Sequence, residues 1–179
     1  MRRLAAVTEI DATPTEVWSV LTDFDRYPDW NPFIPSLVGR CEVGARLRVT
    51  LAPPAGRPMT LRPVVLAAEP VHEFRWLGRL FVPRLFDGEH RFLLEPLGSD
   101  RTRLTQSETF RGLLVPFTAR VLDKTGDGFG VMNRALADEV ARRRKAQAGG
   151  IQPASWMSSA TTGSSSSSTW RNSNPARSA

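Results

Sequence analysis

The 179-residue chain contains one cysteine, two histidines and one tyrosine. A single thiol, Cys41, excludes a disulfide framework. With His72 and His90 as the only imidazoles, it cannot complete a zinc site of the usual four-ligand kind. Long apolar runs are also missing. Nothing approaches the roughly 18 apolar residues that a membrane span needs. The apolar stretch behind Arg2 and Arg3 stops at Thr8-Glu9, too short for a signal peptide. A reducing, cytoplasmic setting is therefore expected, with no metal and no cofactor.

Acidic residues are absent after Glu139. The chain carries 24 Lys and Arg against 18 Asp and Glu, a formal net charge of +6. Such an excess points first to nucleic acid. Up to position 141, however, the two signs are equal at 18 each, so the surplus lies in Arg142, Arg143, Arg144, Lys145, Arg171 and Arg177. A basic end on a neutral body is not a nucleic-acid-binding domain, and no nucleic-acid partner is expected. The Arg142–Lys145 run reads as a solvated helix end that complements the helix dipole.

Periodicity fails towards the end of the chain. From Ser155 to Thr169, eleven of fifteen residues are Ser or Thr. Such a stretch cannot bury enough apolar surface to offset the entropy of ordering it. The expectation is one domain over 1–146 and a disordered tail over 147–179, with Trp156 and Trp170 as its sticky points.

Within the domain, Leu4–Ile10 reads as a strand. Thr13 and Pro14 then set a helix start, and Val17, Trp18, Val20 and Leu21 form its apolar face. Residues 23–33 read as a turn-rich segment pinned by Tyr27, Trp30 and Phe33. Six further strands are expected at 36–42, 46–52, 58–68, 72–79, 87–96 and 101–110, at the short spacing of antiparallel sheets. A helix is expected from Pro116 to about Lys145, with Phe117, Val121, Met132, Leu136 and Val140 at helical spacing. Strand, helix, short helix, six strands, long helix is an α+β layout with helices on one face of an antiparallel sheet.

That order resembles the START-like, or SRPBCC, helix-grip superfamily, and within it the polyketide cyclase/dehydrase-like group. The segment Ile10-Asp-Ala-Thr-Pro-Thr-Glu-Val-Trp-Ser-Val-Leu-Thr-Asp-Phe-Asp-Arg-Tyr-Pro-Asp-Trp-Asn-Pro32 is similar to its strand–helix opening. Gly88-Glu-His-Arg-Phe92 and Ser107-Glu-Thr-Phe110 resemble its last hairpin. The resemblance implies a curved seven-stranded antiparallel sheet wrapped around the long C-terminal helix, with an apolar cavity between them. It also implies a function among lipid, sterol, quinone or polyketide binding and cyclisation, without choosing one.

Strand parity locates the candidate site, because alternate residues face opposite sides of a sheet. Phe74 and Trp76 share the inward face of one strand, His90, Phe92 and Leu94 that of the next, and Leu104, Gln106, Glu108 and Phe110 that of the last. If the hairpin folds about Gly98-Ser99-Asp100, Leu94 lies opposite Leu104, Phe92 opposite Gln106 and His90 opposite Glu108. A one-residue slip would turn every one of these side chains to the other face. His90 and Glu108 are therefore the candidate acid/base pair. Phe74, Trp76, Phe92, Gln106, Phe110, Phe117, Val121 and Gly128 join them as candidate ligand contacts. Gly126, Gly128 and Gly130 would make room for a ligand on the helix, or let it pack closely on the sheet.

Other motifs carry less. Asp23 and Asp25 follow a helix rather than a parallel strand, so capping and turn roles are expected of them rather than metal binding. Gly126-Asp-Gly-Phe-Gly130 lacks the spacing of a nucleotide loop. Ser107 sits in no nucleophile elbow, and Cys41 reads as a small core or edge residue. The expected function is binding or transport of an apolar small molecule in the cavity. The alternative is a cyclase/dehydrase-type enzyme in which Glu108 or His90 removes a proton from a polyketone.

Overall fold

A computed structural model describes residues 1–54, 56–80, 86–113, 115 and 119–150. The chain opens with β1 (Arg2–Ile10), whose burial alternates residue by residue. Helix α1 (Pro14–Leu21) follows, and its start is fixed by a capping box. The Glu16 amide donates to Thr13 Oγ1 at 3.3 Å, and the Thr13 amide donates to Glu16 Oε2 at 2.8 Å. A 3-10 turn (Phe24–Arg26) and the one-turn helix α2 (Tyr27–Trp30) come next. They are pinned where expected: the Tyr27 hydroxyl donates to the Leu21 carbonyl at 2.6 Å, and its ring is fully buried. Burial pushes the Tyr27 phenol well above its ordinary range, so it stays protonated.

Eight strands are described, one more than the sequence pattern suggests. Strands β2 (Ser36–Val38), β3 (Arg48–Leu51) and β4 (Met59–Leu61) form a small antiparallel sheet. Strands β5 (Val64–Glu69), β6 (Glu73–Leu80), β7 (Phe86–Pro96) and β8 (Thr102–Arg111) join β1 in a larger one, in the order β1-β8-β7-β6-β5. The extra strand arises because the apolar run 58–68 is cut at Arg62-Pro63. Proline has no N–H to continue a ladder, and its carbonyl instead accepts from the Leu47 amide at 2.9 Å. An isolated bridge, Arg46 to Val64, links the two sheets. The strand expected over 36–42 stops at Val38 because Gly39 has φ of 138° and a Cβ there would lie 2.7 Å from Leu47.

Helix α3 (Ala119–Gly150) crosses the inner face of the large sheet. It runs on past Lys145, where the sequence pattern places its end, and through all three glycines without a break. Phe129, Met132, Leu136 and Val140 recur at helical spacing and are all buried. They meet Phe74, Phe92, Leu94 and Leu104 of the sheet in one apolar core. Pro116, Phe117 and residues 151–179 lie outside the described residues, as does the side chain of Val121.

The basic run is not simply a solvated helix end. Arg142 and Arg143 both donate to the buried carboxylate of Glu139 at 2.7 Å, and Arg143 also reaches Asp23 at 2.9 Å. Arg144 bridges Glu16 of α1 at 3.1 Å and Asp100 of the β7–β8 turn at 2.9 Å. Asp23 therefore serves as an anchor for α3 and makes no capping hydrogen bond with its side chain. The hydrogen bond from Arg142, then that from Arg143, outweigh burial and hold the Glu139 carboxyl at about 2 rather than 4.5. A carboxylate depressed in the folded state contributes stability that is complete above its unfolded value. That contribution is expected to disappear as pH falls from about 4.5 to about 2. Glu139→Gln should melt lower at pH 7 by about 1–3 kcal/mol and lose this part of the acid dependence. Parallel melting curves of both proteins at pH 2.5 and 7 check it. An equal gap at the two pH values would show that Glu139 is not the titrating group.

Candidate functional site

The β7–β8 hairpin turns at Gly98, with φ of 120°, and closes through a Leu97 amide to Arg101 carbonyl hydrogen bond of 2.8 Å. Its register sets His90 opposite Glu108, Phe92 opposite Gln106 and Leu94 opposite Leu104, as strand parity predicts. Trp76 pairs with His90 on the other side, and Phe74 with Phe92. All six of Phe74, Trp76, His90, Phe92, Gln106 and Glu108 are buried on the inner face.

His90 is the centre of this group. Its ring stacks on Trp76 at 4.7 Å with planes only 5° apart, and Phe92 and Phe129 flank it at 4.7 and 5.1 Å. A polar ring held so closely by three aromatics needs partners for both nitrogens, and it has them. Nδ1 lies 3.3 Å from Glu108 Oε2, and Nε2 lies 3.1 Å from the Gln106 amide nitrogen. A carboxylate can only accept and an amide NH2 can only donate. The consistent assignment is a neutral imidazole carrying its proton on Nδ1, which donates to Glu108, while Gln106 donates to Nε2. The second amide N–H of Gln106 points to Met132 Sδ at 3.5 Å.

The roles in the pair are unequal. The His90 side chain is 4% exposed and that of Glu108 11%. With both ring nitrogens engaged, the imidazole has no lone pair to offer a substrate. Glu108 is the member that can meet one, and His90 holds it in place.

Two glycines missed by sequence reasoning shape the sheet beside it. Gly78 and Gly88 are cross-strand partners, and parity puts both on the inner face. The Glu108 Oε1 atom lies over Gly88, where a Cβ would stand 2.6 Å from it. At Gly78 a Cβ would meet nothing nearer than 3.7 Å. Together they leave a bare strip of backbone next to the carboxylate. Their even-numbered parity with Trp76 and His90 was the available signal.

The remaining candidates fall elsewhere. Phe110 packs with Val115 and Leu4 in a small cluster apart from the main core, although a Cβ on Gly88 would lie 3.4 Å from its ring. Gly128 faces Phe33: a Cβ there would stand 2.2 Å from the ring carbon Cδ2. The helix is thus closely packed at that glycine, and the space is filled by Phe33. Phe33, Phe129 and Asn133 were not anticipated, because each reaches the site through contacts distant in sequence. Cys41 is half-buried, and burial pushes its thiol up to about 11, so it is no thiolate nucleophile near neutral pH. A groove lined by Glu16, Ser19, Val20, Val140, Arg143 and Arg144 lies about three helical turns beyond Phe129, with its guanidinium groups already paired. No group of three or more His, Cys, Asp or Glu able to hold a metal occurs among the described residues. Nor is any described helix long and apolar enough to cross a membrane.

The family model described as polyketide cyclase/dehydrase and lipid transport matches residues 1–150. The chain belongs to that family. No curated protein sequence matches it. Among solved structures, this member of the polyketide cyclase/dehydrase and lipid transport family is similar to a START superfamily protein from Mycobacterium smegmatis. That likeness has a TM-score of 0.64 and 22% identity, over 78% of this chain and 97% of the other. The Zhui aromatase/cyclase from Streptomyces sp. R1128 gives a TM-score of 0.67 at 20% identity, over 82% and 97%. Norcoclaurine synthase from Thalictrum flavum, solved with dopamine and hydroxybenzaldehyde, gives 0.62 at 17% identity, over 79% and 87%. Likeness at these identities establishes the shared helix-grip architecture.

Proposed function

We propose that the chain binds an apolar small molecule against the inner face of the large sheet, with the polar end of that molecule at Glu108. One observation carries this reading: His90, Gln106 and Glu108 are buried together in an aromatic wall, and the oxygen of Gln106 has no partner. A core built only for stability gains nothing from such groups, because burying polar atoms costs free energy unless every one is satisfied. Apolar ligand surface would supply the affinity, at about 25 cal/mol per Å², and the polar groups the orientation. A cytoplasmic setting is part of this reading.

A second reading is favoured by the Glu108–His90 contact. A partly exposed carboxylate oriented by a neutral imidazole can remove a proton from an acidic C–H of a polyketone, which is cyclase or dehydrase chemistry. Native mass spectrometry separates the two. The chain purified without denaturation is expected to carry an apolar small molecule, and Glu108→Gln should reduce its occupancy severalfold. Turnover of a poly-β-keto thioester that falls about 10²-fold or more in Glu108→Gln, with binding retained, would instead establish the enzyme. A wild-type chain that carries no ligand and turns nothing over defeats both.

A further inference from the structure

Buried polar atoms left without partners in a native fold call for a specific cause. On the inner side of the large sheet two such atoms occur among the described residues: Gln106 Oε1 and Asn133 Oδ1, on side chains that are both fully buried. Both belong to residues beside Ala6 of β1. Asn133 donates to the carbonyl of Ala6 at 3.4 Å, and Ala6 is the β1 residue paired with Gln106. Both atoms are oxygens, and both can only accept.

Most donors nearby are spent. Both N–H bonds of the Gln106 amide are used, towards His90 Nε2 and Met132 Sδ. The His90 proton goes to Glu108, and one N–H of the Asn133 amide to Ala6. Turning the Gln106 amide over would set its oxygen against Nε2, which requires a second proton on the ring and a charged imidazolium inside the aromatic wall. The unpartnered donors Trp30 Nε1 and Asn31 Nδ2 belong to the end of α2 and the turn after it, where the Asn31 oxygen already accepts from Phe33 and Ile34. The inner face around His90 is therefore rich in acceptors and short of donors. Glu108, two residues from Gln106 on the same face of β8, adds a carboxylate that would repel another.

From this imbalance we infer that the bound molecule presents a hydrogen-bond donor to the site, an alcohol, phenol or amine, and not a carboxylic acid. This rests on the reading that the inner face binds an apolar small molecule, and it narrows that ligand by its polar group. A hydroxyl or amine placed beside Glu108 on this face would offer the Gln106 oxygen the donor it lacks. A carboxylate entering the same way meets a buried like charge and two oxygens that cannot donate to it.

Matched probes test this on the full chain. Binding of 2-naphthol, 2-naphthoic acid and naphthalene is measured by quenching of tryptophan fluorescence and by calorimetry, with dodecanol and dodecanoate as a second apolar body. The alcohols are expected to bind at least about tenfold more tightly than the acids and than naphthalene, the scale of one satisfied buried acceptor. Gln106→Leu should bring the ratio of 2-naphthol to naphthalene affinity, both measured in that variant, to about one. Where that variant does not fold, Gln106→Met, which keeps the unbranched shape, takes its place. Acids that bind as tightly as alcohols overturn the inference and leave the apolar-ligand reading standing. Equal binding of 2-naphthol and naphthalene, unchanged in Gln106→Leu, would mean that water alone satisfies the oxygen, and overturns it too. If none of the five probes binds, both readings fall.

Discussion

Gly128→Ala is expected to destabilise the chain by about 2–3 kcal/mol, the upper part of the overpacking range, or roughly 5–10 °C in melting temperature. In an ordinary helix the same change would help by nearly 1 kcal/mol. Here the new methyl would stand 2.2 and 2.3 Å from two carbons of the Phe33 ring. That ring is 1% exposed and packs edge-on against Phe129 at 5.8 Å, so it has nowhere to go. Phe33→Leu, combined with Gly128→Ala, should recover part of the loss. Thermal melts of the three variants decide it. A Gly128→Ala protein that melts at or above wild type would show that the helix does not approach the α2–β2 turn this closely.

His90→Leu is expected to cost about 3 kcal/mol, most of it from what is left behind rather than from the hydrogen bonds themselves. Removing the imidazole strands the Glu108 carboxylate and the Gln106 amide in a nearly water-free aromatic wall. The double variant His90→Leu/Glu108→Leu should therefore be more stable than His90→Leu alone, even though it carries one more change. A double-mutant cycle in urea measures this directly, with an expected coupling of about 1.5–3 kcal/mol. Additive effects would mean that the pair does not interact. Both variants should also lose ligand, since neither retains the oriented carboxylate.

The hairpin that carries this pair was legible because two independent signals agree on it. Residues 87–96 and 101–110 alternate apolar and polar, and Gly98 supplies the only turn that keeps both alternations facing inwards. The start of α1 was equally plain, since a capping box and a proline are local features. What depended on distant contacts was not visible. Nothing in the residues around Gly128 names Phe33, some ninety positions earlier, as the group that fills its space. The break between β4 and β5 hid inside an apolar run because Pro63 can also begin a strand. The basic run after Glu139 looked solvated for the same reason: Asp23, Glu16 and Asp100, which engage it, come from three separate parts of the chain.

The anchoring of Arg143 and Arg144 has a consequence for the electric field of the whole molecule. Glu16, Asp23 and Asp100 belong to the otherwise neutral body, and their charge is spent on the end of α3. The deficit surfaces at the small sheet. Between Val43 and Ala68 the chain carries Arg46, Arg48, Arg57 and Arg62 and no acidic residue. All four are exposed, and none has an acidic partner among the described residues. Val49 pairs with Leu61 and Arg46 bridges to Val64, which sets Arg48 on β3 and Arg46 and Arg62 just beyond the ends of β3 and β4. The β2-β3-β4 side of the domain therefore carries a patch of positive charge without acidic partners, whereas the arginines of the C-terminal run are paired. Such a patch attracts anions that pass it, over a reach that physiological salt limits to about 8 Å.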